Sequence, residues 1–348
     1  MKKQILIIFL LILNLTLFSQ SKDKEYYTDI AKGMGYYFGM ELTLDLIVEK
    51  YPTLSREAMN AKMNLKIAHE KSIENMESIY GQASGENMGV FKKEIINRIL
   101  TEYDYANFSS YEATAYLHNF EEERIKGNHE LYGEFVGILL SHNSYYQSNQ
   151  AKEFLDDFKS IFHSDNHPKS KGLNLSIEYP KSWTGQEGKR PNILTLIQSS
   201  DKNCIITLLI KDVLAEMGEN INTLSHEDVE YFKSGEFANE MFEETFTYDY
   251  AKEFVDAMGL ENIKDFEFKK TKIDAQPTMI AKARGVKSTI LAEIEVYTIN
   301  YLILYNHYMI SVGVMIQLNE QDNTKAHIEK YELLSALITN SLIIKDQW

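Results

Sequence analysis

The sequence predicts an α+β protein in which an N-terminal all-helical domain is followed by an α/β/α sandwich with a mainly antiparallel sheet. Two patterns along the chain support this prediction. From residue 26 to about residue 162, apolar residues recur at spacings of three and four, the period of a helix. After a polar segment that contains Pro168, apolar and polar residues alternate, which is the period of a strand.

Length and composition agree with two globular domains. A chain of 348 residues is longer than one ordinary hydrophobic core requires. Apolar residues make up 44% and charged residues 25%, as in folded rather than disordered chains. We therefore expect a helical domain over residues 20–162, a linker over residues 163–171 and a sandwich domain over residues 172–348.

The first 19 residues have the pattern of a secretory signal peptide. Lys2 and Lys3 precede the apolar run Ile5–Leu13, and Ser19 is a small residue at the expected cleavage site. The apolar run is shorter than the roughly 20 residues of a membrane helix, so a retained anchor is the weaker interpretation. The sequence thus predicts an exported protein, periplasmic or extracellular, with no membrane span after cleavage.

Charge and cysteine content narrow the classes of partner. Lys and Arg number 36 against 51 Asp and Glu, and removal of Lys2 and Lys3 leaves 34 against 51, a net charge of −17. Such a chain repels phosphate backbones and anionic lipids, so we expect no nucleic-acid partner. A basic partner or divalent cations are favoured instead. The single cysteine, Cys204, lies in an apolar run, which predicts a buried and inert thiol.

Five or six short antiparallel helices are expected in the first domain. One helix is predicted over residues 29–48, and a second begins near Ser55 and ends near Gly81. The apolar residues of the second helix are expected to share one face: Met59, Met63, Ile67, Ile73, Met76 and Tyr80.

Three more helices complete the predicted first domain. Ser109 and Glu112 form a capping box ahead of a helix that ends before Gly127. Another helix begins after Asn128, and four of its apolar residues are expected to face inward: Leu131, Phe135, Ile138 and Leu139. The last helix is predicted over residues 151–162.

The second domain is predicted to consist of hairpins and flanking helices. Strands are expected at residues 173–179, 192–200, 204–213, 265–273, 278–286, 292–305 and 308–318. Helical patterning runs from Glu227 to about Phe266, and a closing helix covers about Asn323 to Asn340. Tyr305–Tyr308 is expected to form the turn between the last two strands. This order predicts an antiparallel sheet covered by helices.

Several segments of this second half resemble PsbP-like domains. The segment LSIEYPKSW ends in a Pro-x-x-Trp turn at Pro180 and Trp183, and GKRPNILTLIQSS follows it. IDAQPTMIAKARG is similar to the hairpin of that family, although Ala275 stands where the family usually has glycine. The resemblance implies the Mog/PsbP α/β/α sandwich and a non-enzymatic accessory protein that docks on other proteins. The helical half resembles no family, and no metal or docking residue of the family maps onto this chain.

Some short patterns superficially resemble catalytic sites. Three of them are similar to the serine set of penicillin-binding enzymes: the Ser-x-x-Lys from Ser21 to Lys24, the Ser-Asp-Asn that begins at Ser164, and the Lys-Thr-Lys that begins at Lys270. Ser21 lies at the expected mature terminus, however, and the third pattern lacks its glycine. The glycine-rich segment 33–39 lacks the preceding strand and the lysine of a phosphate loop, and it predicts close helix packing instead.

Two histidine patterns have the i, i+4 spacing of a metal site. His163 and His167 lie in the polar segment, where Pro168 disfavours a helix. His118 and Glu122 supply only two ligands, fewer than a closed metal site needs. The sequence therefore predicts no catalytic, cofactor-binding or metal-binding residue, and it identifies no cofactor.

Taken with the leader and the acidic charge, these patterns favour an exported, non-catalytic accessory or interaction protein whose partner is another protein. Docking is expected through an exposed sheet face or an aromatic-lined cleft. The alternative is a hydrolase, or a carrier of a small ligand or metal, with a site between the two halves. The sequence names neither the partner nor the oligomeric state.

Overall fold

The computed structural model describes the following residues: 21–84, 88–102, 107–217, 223–288, 292–318 and 324–347. The chain divides into two compact units, residues 1–159 and 160–348. The predicted signal peptide, residues 1–19, lies outside the described residues.

The first unit is built from helices. Its α-helices are α1 (Ser21–Lys50), α2 (Ser55–Ser84), α3 (Met88–Glu102), α4 (Ser110–Leu117), α5 (Glu130–Ser141), α6 (Ser144–Ser148) and α7 (Gln150–Leu155). A 3₁₀ turn, Pro52–Leu54, precedes α2, and a π-helical turn, Glu121–Ile125, follows α4. The structure confirms the helix predicted over residues 29–48 and the capping box of Ser109 and Glu112.

Helix α1 forms the centre of the helical core. Tyr36 and Phe38 lie on opposite sides of α1 and are both buried, at 3% and 2% exposure, as expected for a helix surrounded by others. Gly33 permits this close packing, because a Cβ there would lie 2.8 Å from Met76 Cε in α2 and 3.0 Å from Ile138 Cγ2 in α5. The glycine-rich segment 33–39 therefore contributes to helix packing, as predicted.

The apolar residues of α2 divide between two sides of the helix, so the single predicted face was wrong. Three of them are buried in the core: Ile73, Met76 and Tyr80. Three others are exposed to 55%, 57% and 77%: Met59, Met63 and Ile67. The step of six residues from Ile67 to Ile73 turns about 240° around the helix, so the two groups of three lie on different sides.

Two predicted helix ends and one predicted core residue were also wrong. Helix α2 continues past Gly81. The helix expected to reach Gly127 ends at Leu117, because Asn119 has a left-handed backbone (φ 54°), a conformation that asparagine tolerates. Leu131 is 40% exposed in the first turn of α5, since a helical face is buried only where a neighbouring element covers it.

The segment around the predicted linker is more structured than expected. Residues 151–162 are helical only to Leu155, because Asp157 has φ 67° and breaks the helix. The strand β1 (Lys159–His163) follows, and the boundary between the two units falls within it. A 3₁₀ turn, Pro168–Ser170, lies in the predicted linker.

The second unit contains the strands. The others are β2 (Leu175–Pro180), β3 (Thr184–Glu187), β4 (Ile193–Gln198), β5 (Cys204–Asp212), β6 (Glu261–Ile273), β7 (Gln276–Ser288), β8 (Glu293–Tyr305), β9 (Tyr308–Gln317) and β10 (Ile343–Ile344). Its helices are α8 (Val213–Glu216), α9 (His226–Phe232), α10 (Gly235–Glu240), α11 (Tyr248–Ala257) and α12 (Thr324–Asn340). A π-helical turn, Met241–Thr245, follows α10, and a 3₁₀ turn, Lys345–Gln347, follows β10. Helix α11 ends before the predicted Phe266, which lies in β6.

Seven strands form one antiparallel sheet in the order β3-β4-β5-β9-β8-β7-β6, so β3 and β6 are its edges. A smaller sheet contains β1, β2 and β10. One face of the large sheet packs against α12, and the other packs against α10 and α11. The structure thus confirms the predicted fold class, a helical part followed by an α/β/α sandwich with a mainly antiparallel sheet.

Tight turns set the register of two strand pairs in the large sheet, β6 with β7 and β8 with β9. The predicted turn between β8 and β9 is confirmed, since Tyr305 pairs with Tyr308. Asp274 and Ala275 connect β6 to β7 with φ of 49° and 63°, the left-handed pair of a type I′ hairpin. Ala275 therefore holds a conformation that favours glycine.

Candidate functional site

A cleft opens on the α12 side of the large sheet, where the helix no longer covers the strands. Helix α12 packs over β9 and β8, and β7 and β6 continue beyond it. The cleft has a volume of about 300 Å³. Its lining residues come from three strands and from α12: Glu267, Phe268, Lys269, Thr271, Lys272, Ile273, Ile280, Lys282, Tyr301, Glu332, Ala336 and Asn340.

Lys282 in β7 lies between two carboxylates of the cleft. Its ammonium group donates a hydrogen bond to Glu332 Oε1 of α12 and lies 3.8 Å from Glu267 Oε2 of β6. Burial alone would lower the pKa of Lys282, but the hydrogen bond and charge of Glu332, together with Glu267, raise it above its usual value. Lys282 is therefore charged at neutral pH and connects the strand floor of the cleft to the helix.

Tyr301 of β8 is the most enclosed polar side chain of the cleft, at 4% exposure. Burial raises the pKa of its phenol, which remains protonated, and its hydroxyl group is within hydrogen-bond reach of Ser335 in α12. Register places Tyr301 opposite Ile280, so an apolar side chain separates it from the β6 edge. The floor is therefore polar at the helix and apolar in its middle.

Lys269 provides a free positive charge at the outer side of the cleft. It shares a sheet face with Glu267, because residues two apart on a strand point the same way, and it lies opposite Ile280. Lys269 makes no ion pair with any residue that the structure describes, unlike Lys282. The cleft can therefore attract a carboxylate without first breaking an internal pair.

The edge strand β6 adds main-chain donors beside the cleft. From Glu267 to Ile273 the ladder to β7 is continuous, and Ile273 and Gln276 close a two-residue hairpin. Residues that flank such a hairpin direct their main-chain groups towards each other, and the direction alternates along the strand. The N–H and C=O groups of Phe268, Lys270 and Lys272 therefore point away from β7, towards the open edge.

The serine pattern considered from the sequence is not a site. Ser164 is fully buried, donates a hydrogen bond to Leu173 O (2.9 Å) and accepts one from Leu175 N (2.8 Å). Lys270 lies in β6 and contacts Glu243. The side chain of Ser21 lies outside the described residues. Ser164 thus has a structural role in the turn that precedes β2.

The structure engages residues of both histidine patterns in other contacts. Asp165 is paired with Lys345 at 2.7 Å, and His167 accepts a hydrogen bond from Lys169 N at 3.1 Å as the cap of a 3₁₀ turn. Glu122 pairs with Lys126 at 2.8 Å and accepts a hydrogen bond from Asn128 Nδ2 at 3.0 Å. Within the described parts of the chain, no cluster of three or more His, Cys, Asp or Glu residues is arranged to hold a metal ion.

Other buried titratable groups belong to the cores. Cys204 is 1% exposed, and burial raises its pKa well above the usual value, so its thiol is the inert group predicted. His69 of α2 is fully buried with Nε2 3.0 Å from Ile125 O, and burial lowers its pKa to about 4. Its Nδ1 has no hydrogen-bond partner among the described residues. Neither side chain reaches the surface.

Sequence reasoning missed the cleft. A signal was present in β6 and β7, where charged residues occur on the strand face that also carries Ile280. Lys269 and Lys282 occupy positions that would be apolar if a helix covered them. Charges at such positions indicate a part of the sheet that is open to solvent.

Comparisons with known proteins leave the family open. No family model matches the chain, and no curated protein matches it. Among solved structures, the chain is similar to the solution structure of cyanobacterial PsbP (CyanoP) from Synechocystis sp. PCC 6803, with 12% identity and a TM-score of 0.33. The match covers 53% of this chain and 92% of that one. Among the residues described, no helix is long and apolar enough to cross a membrane.

Proposed function

We propose that this chain is an exported, non-catalytic interaction protein whose second unit binds an extended, acidic segment of another protein. The segment would pair with the free edge of β6 and place alternate side chains in the cleft beside α12. The observation that carries the proposal is the position of this cleft next to an unpaired strand edge. Strand addition to a sheet edge is a common mode of peptide recognition, in which pockets for alternate side chains provide specificity.

The edge of β6 has the properties that such pairing requires. Its ladder with β7 is regular from Glu267 to Ile273, so its outward groups have the spacing of a normal strand. Irregularities in register are confined to the first part of the strand, between Glu261 and Glu267. The other edge, β3, is only four residues long and is fully exposed.

The charge of β6 favours an acidic segment. The strand as a whole carries four lysines and three carboxylates, Glu261, Asp265 and Glu267. Its regular part, from Glu267 to Ile273, has three lysines (Lys269, Lys270 and Lys272) against one carboxylate, although the whole chain has a net charge of −15. Lysines on an edge strand discourage pairing with another copy of the same basic edge. An acidic segment is the partner that they attract, and the local field would speed its association.

Binding to a defined probe tests the proposal. The probe is a fluorescent ten-residue peptide of alternating Glu and Val, and its control replaces every Glu with Lys. Fluorescence anisotropy should detect binding of the acidic peptide only. Lys269→Glu should weaken that binding by about tenfold, which corresponds to the loss of one favourable charge contact.

Two further variants separate strand pairing from simple charge attraction. Lys270→Pro removes an outward N–H without touching the ladder to β7, so it should abolish binding while the protein stays folded, whereas Lys270→Gln removes the same charge but keeps the N–H and should weaken binding by about tenfold at most. Lys325→Glu changes the net charge by as much as Lys269→Glu does, at a lysine whose side chain is 86% exposed in the first turn of α12, and it should leave binding unchanged. Equal affinity for both peptides, or binding that survives Lys270→Pro, would refute strand addition at β6.

The proposed export rests on the leader, residues 1–19. Its charged start, short apolar run and small residue at the cut are typical of signal peptides. Expression of the full chain in a bacterium, followed by fractionation and intact-mass analysis, should give a protein that begins at Gln20 outside the cytoplasm. Recovery of the uncut chain in the cytoplasm would refute export.

A further inference from the structure

The exposed side of α2 carries a pattern that is symmetric about Met63. Met59, Met63 and Ile67 form an apolar stripe that is more than half exposed at every position. Arg56 lies seven residues before Met63, and Glu70 lies seven residues after it. At about 100° per residue, all five side chains lie within roughly 80° on one side of the helix.

Neither terminal charge of this stripe forms an ion pair within the described parts of the chain. Arg56 and Glu70 are exposed, and neither makes an ion pair with a described residue, whereas Lys62 on the adjacent side of α2 pairs with Asp45 of α1 at 2.6 Å. The opposite side of α2 packs into the helical core through Leu65 and Met76. The stripe is therefore a surface of its own and not an exposed edge of the hydrophobic core.

We infer that the exposed side of α2 is a self-association surface, on which a second copy of this chain packs antiparallel. A two-fold axis through Met63 pairs each residue with its mirror position in sequence. Met63 then meets Met63 of the second copy, Met59 meets Ile67, and Arg56 meets Glu70. Each unlike contact occurs twice, as a closed two-fold interface requires.

The antiparallel arrangement is favoured over a parallel one by charge. In a parallel pair Arg56 would face Arg56 and Glu70 would face Glu70, and like charges at close range are repulsive. The interface spans about 21 Å from Arg56 to Glu70, given the rise of a helix, and is smaller than the roughly 800 Å² per partner of a standard complex. We therefore expect a reversible dimer with a dissociation constant of about 10–100 μM.

Sedimentation velocity of the mature full-length chain, over a range of concentrations, tests the association. The wild type should show a monomer–dimer equilibrium, and Met63→Glu, which places two carboxylates at the axis, should be monomeric. Both residues are good helix formers, so the variant should keep its circular dichroism. Tyr111→Glu is the control, since Tyr111 is 83% exposed on α4 and should not affect the dimer.

Charge reversal tests the pairing itself. Arg56→Glu should raise the dissociation constant of the dimer by about tenfold. The double variant Arg56→Glu with Glu70→Arg should restore it, because the two opposite charges only change places. Met63→Cys should form a disulfide-linked dimer under mild oxidation, while Tyr111→Cys should not. The native Cys204 is buried and does not interfere.

Two results would overturn the inference. One is a wild type that remains monomeric up to about 500 μM, well above the expected dissociation constant. The other is a dimer that is unaffected by Met63→Glu and by Arg56→Glu, which would place the interface elsewhere. A dimer that is lost in Arg56→Glu but not restored in the double variant would contradict the antiparallel register.

Discussion

Two halves of one sheet face differ in what covers them. In the half formed by β5 and β9, Leu208 and Val312 lie opposite each other and are fully buried on the face that α12 covers, and Leu334 of α12 is fully buried as well. In the half formed by β6 and β7, the same alternation presents Glu267 opposite Lys282. Alternation decides which side chains share a face, and the chemistry of those side chains decides whether a helix can cover them.

The largest expected effect comes from breaking the covered half. Leu334→Ala should lower the free energy of unfolding by about 2–5 kcal/mol, because it leaves a cavity between α12 and the sheet. Ile280→Ala, in the open half, should cost about 1 kcal/mol or less, since Ile280 lines the cleft and is only partly buried. Urea denaturation of both variants measures the difference, and equal losses would contradict the division of the face.

A polar network holds the middle of α12 in the covered half. Tyr331 is fully buried and donates a hydrogen bond to Asp201, which also accepts from Ser199 Oγ at 2.6 Å and lies 3.2 Å from Lys330 Nζ. Tyr331→Phe should cost about 1–3 kcal/mol at pH 7, the range for a hydrogen bond to a charged group. Chemical denaturation at constant pH measures this loss.

The same network predicts a dependence on pH. Burial raises the pKa of Asp201, but the hydrogen bonds from Ser199 and Tyr331 and the charge of Lys330 outweigh it, so the pKa lies below its usual value. Because the folded pKa is lowered, this contribution to stability is present above about pH 4 and is lost as the pH falls through the folded pKa. The cost of Tyr331→Phe should therefore shrink in acid, and a cost that is constant down to pH 2 would contradict the network.

In the open half, the hairpin that joins β6 to β7 should gain stability on substitution. Ala275→Gly should raise the free energy of unfolding by about 0.5–1 kcal/mol, because glycine adopts φ 63° without the penalty of a Cβ. The same change in α12, Ala336→Gly, should instead destabilise by about 1 kcal/mol. Thermal denaturation of the two variants compares the signs, and destabilisation by both would refute strain at Ala275.

The smallest expected effect concerns the ion pair between Lys282 and Glu332, which lies where the covered half of the sheet face meets the open half. Lys282 and Glu332 remain 25% and 32% exposed, so Glu332→Gln should cost only about 0.5–1 kcal/mol. Salt screens such pairs, and the cost should fall further in 0.5 M NaCl. Paired urea titrations at low and high salt provide the measurement, and a cost above that of Leu334→Ala would reverse the comparison.

Local pattern predicted most of the fold. Three confirmed predictions depend only on neighbours in sequence: the capping box at Ser109, the change from helical to strand period, and the turn at residues 305–308. The errors lie where tertiary context decides. Asn119 and Asp157 break helices by taking left-handed backbones, a choice that apolar periodicity does not encode.

The candidate site was not predictable in the same way. Lys269 and Lys282 are separated by a turn in sequence, and Glu332 lies 50 residues further along, so only the sheet register and the path of α12 bring them together. The exposure of Met59, Met63 and Ile67 likewise depends on which elements pack against α2. Spacing places these residues on a helix but does not show which side is covered.

Amide hydrogen exchange tests the central claim most directly, because it reports main-chain pairing at each edge of the sheet. The acidic Glu/Val peptide should slow exchange in β6, at Phe268, Lys270 and Lys272, and in the part of α12 beside the cleft, while β3 should exchange as before. The basic Lys/Val peptide should protect neither edge. Protection of β3, or no protection of β6 at a concentration that saturates binding, would contradict strand addition at the open half of the sheet.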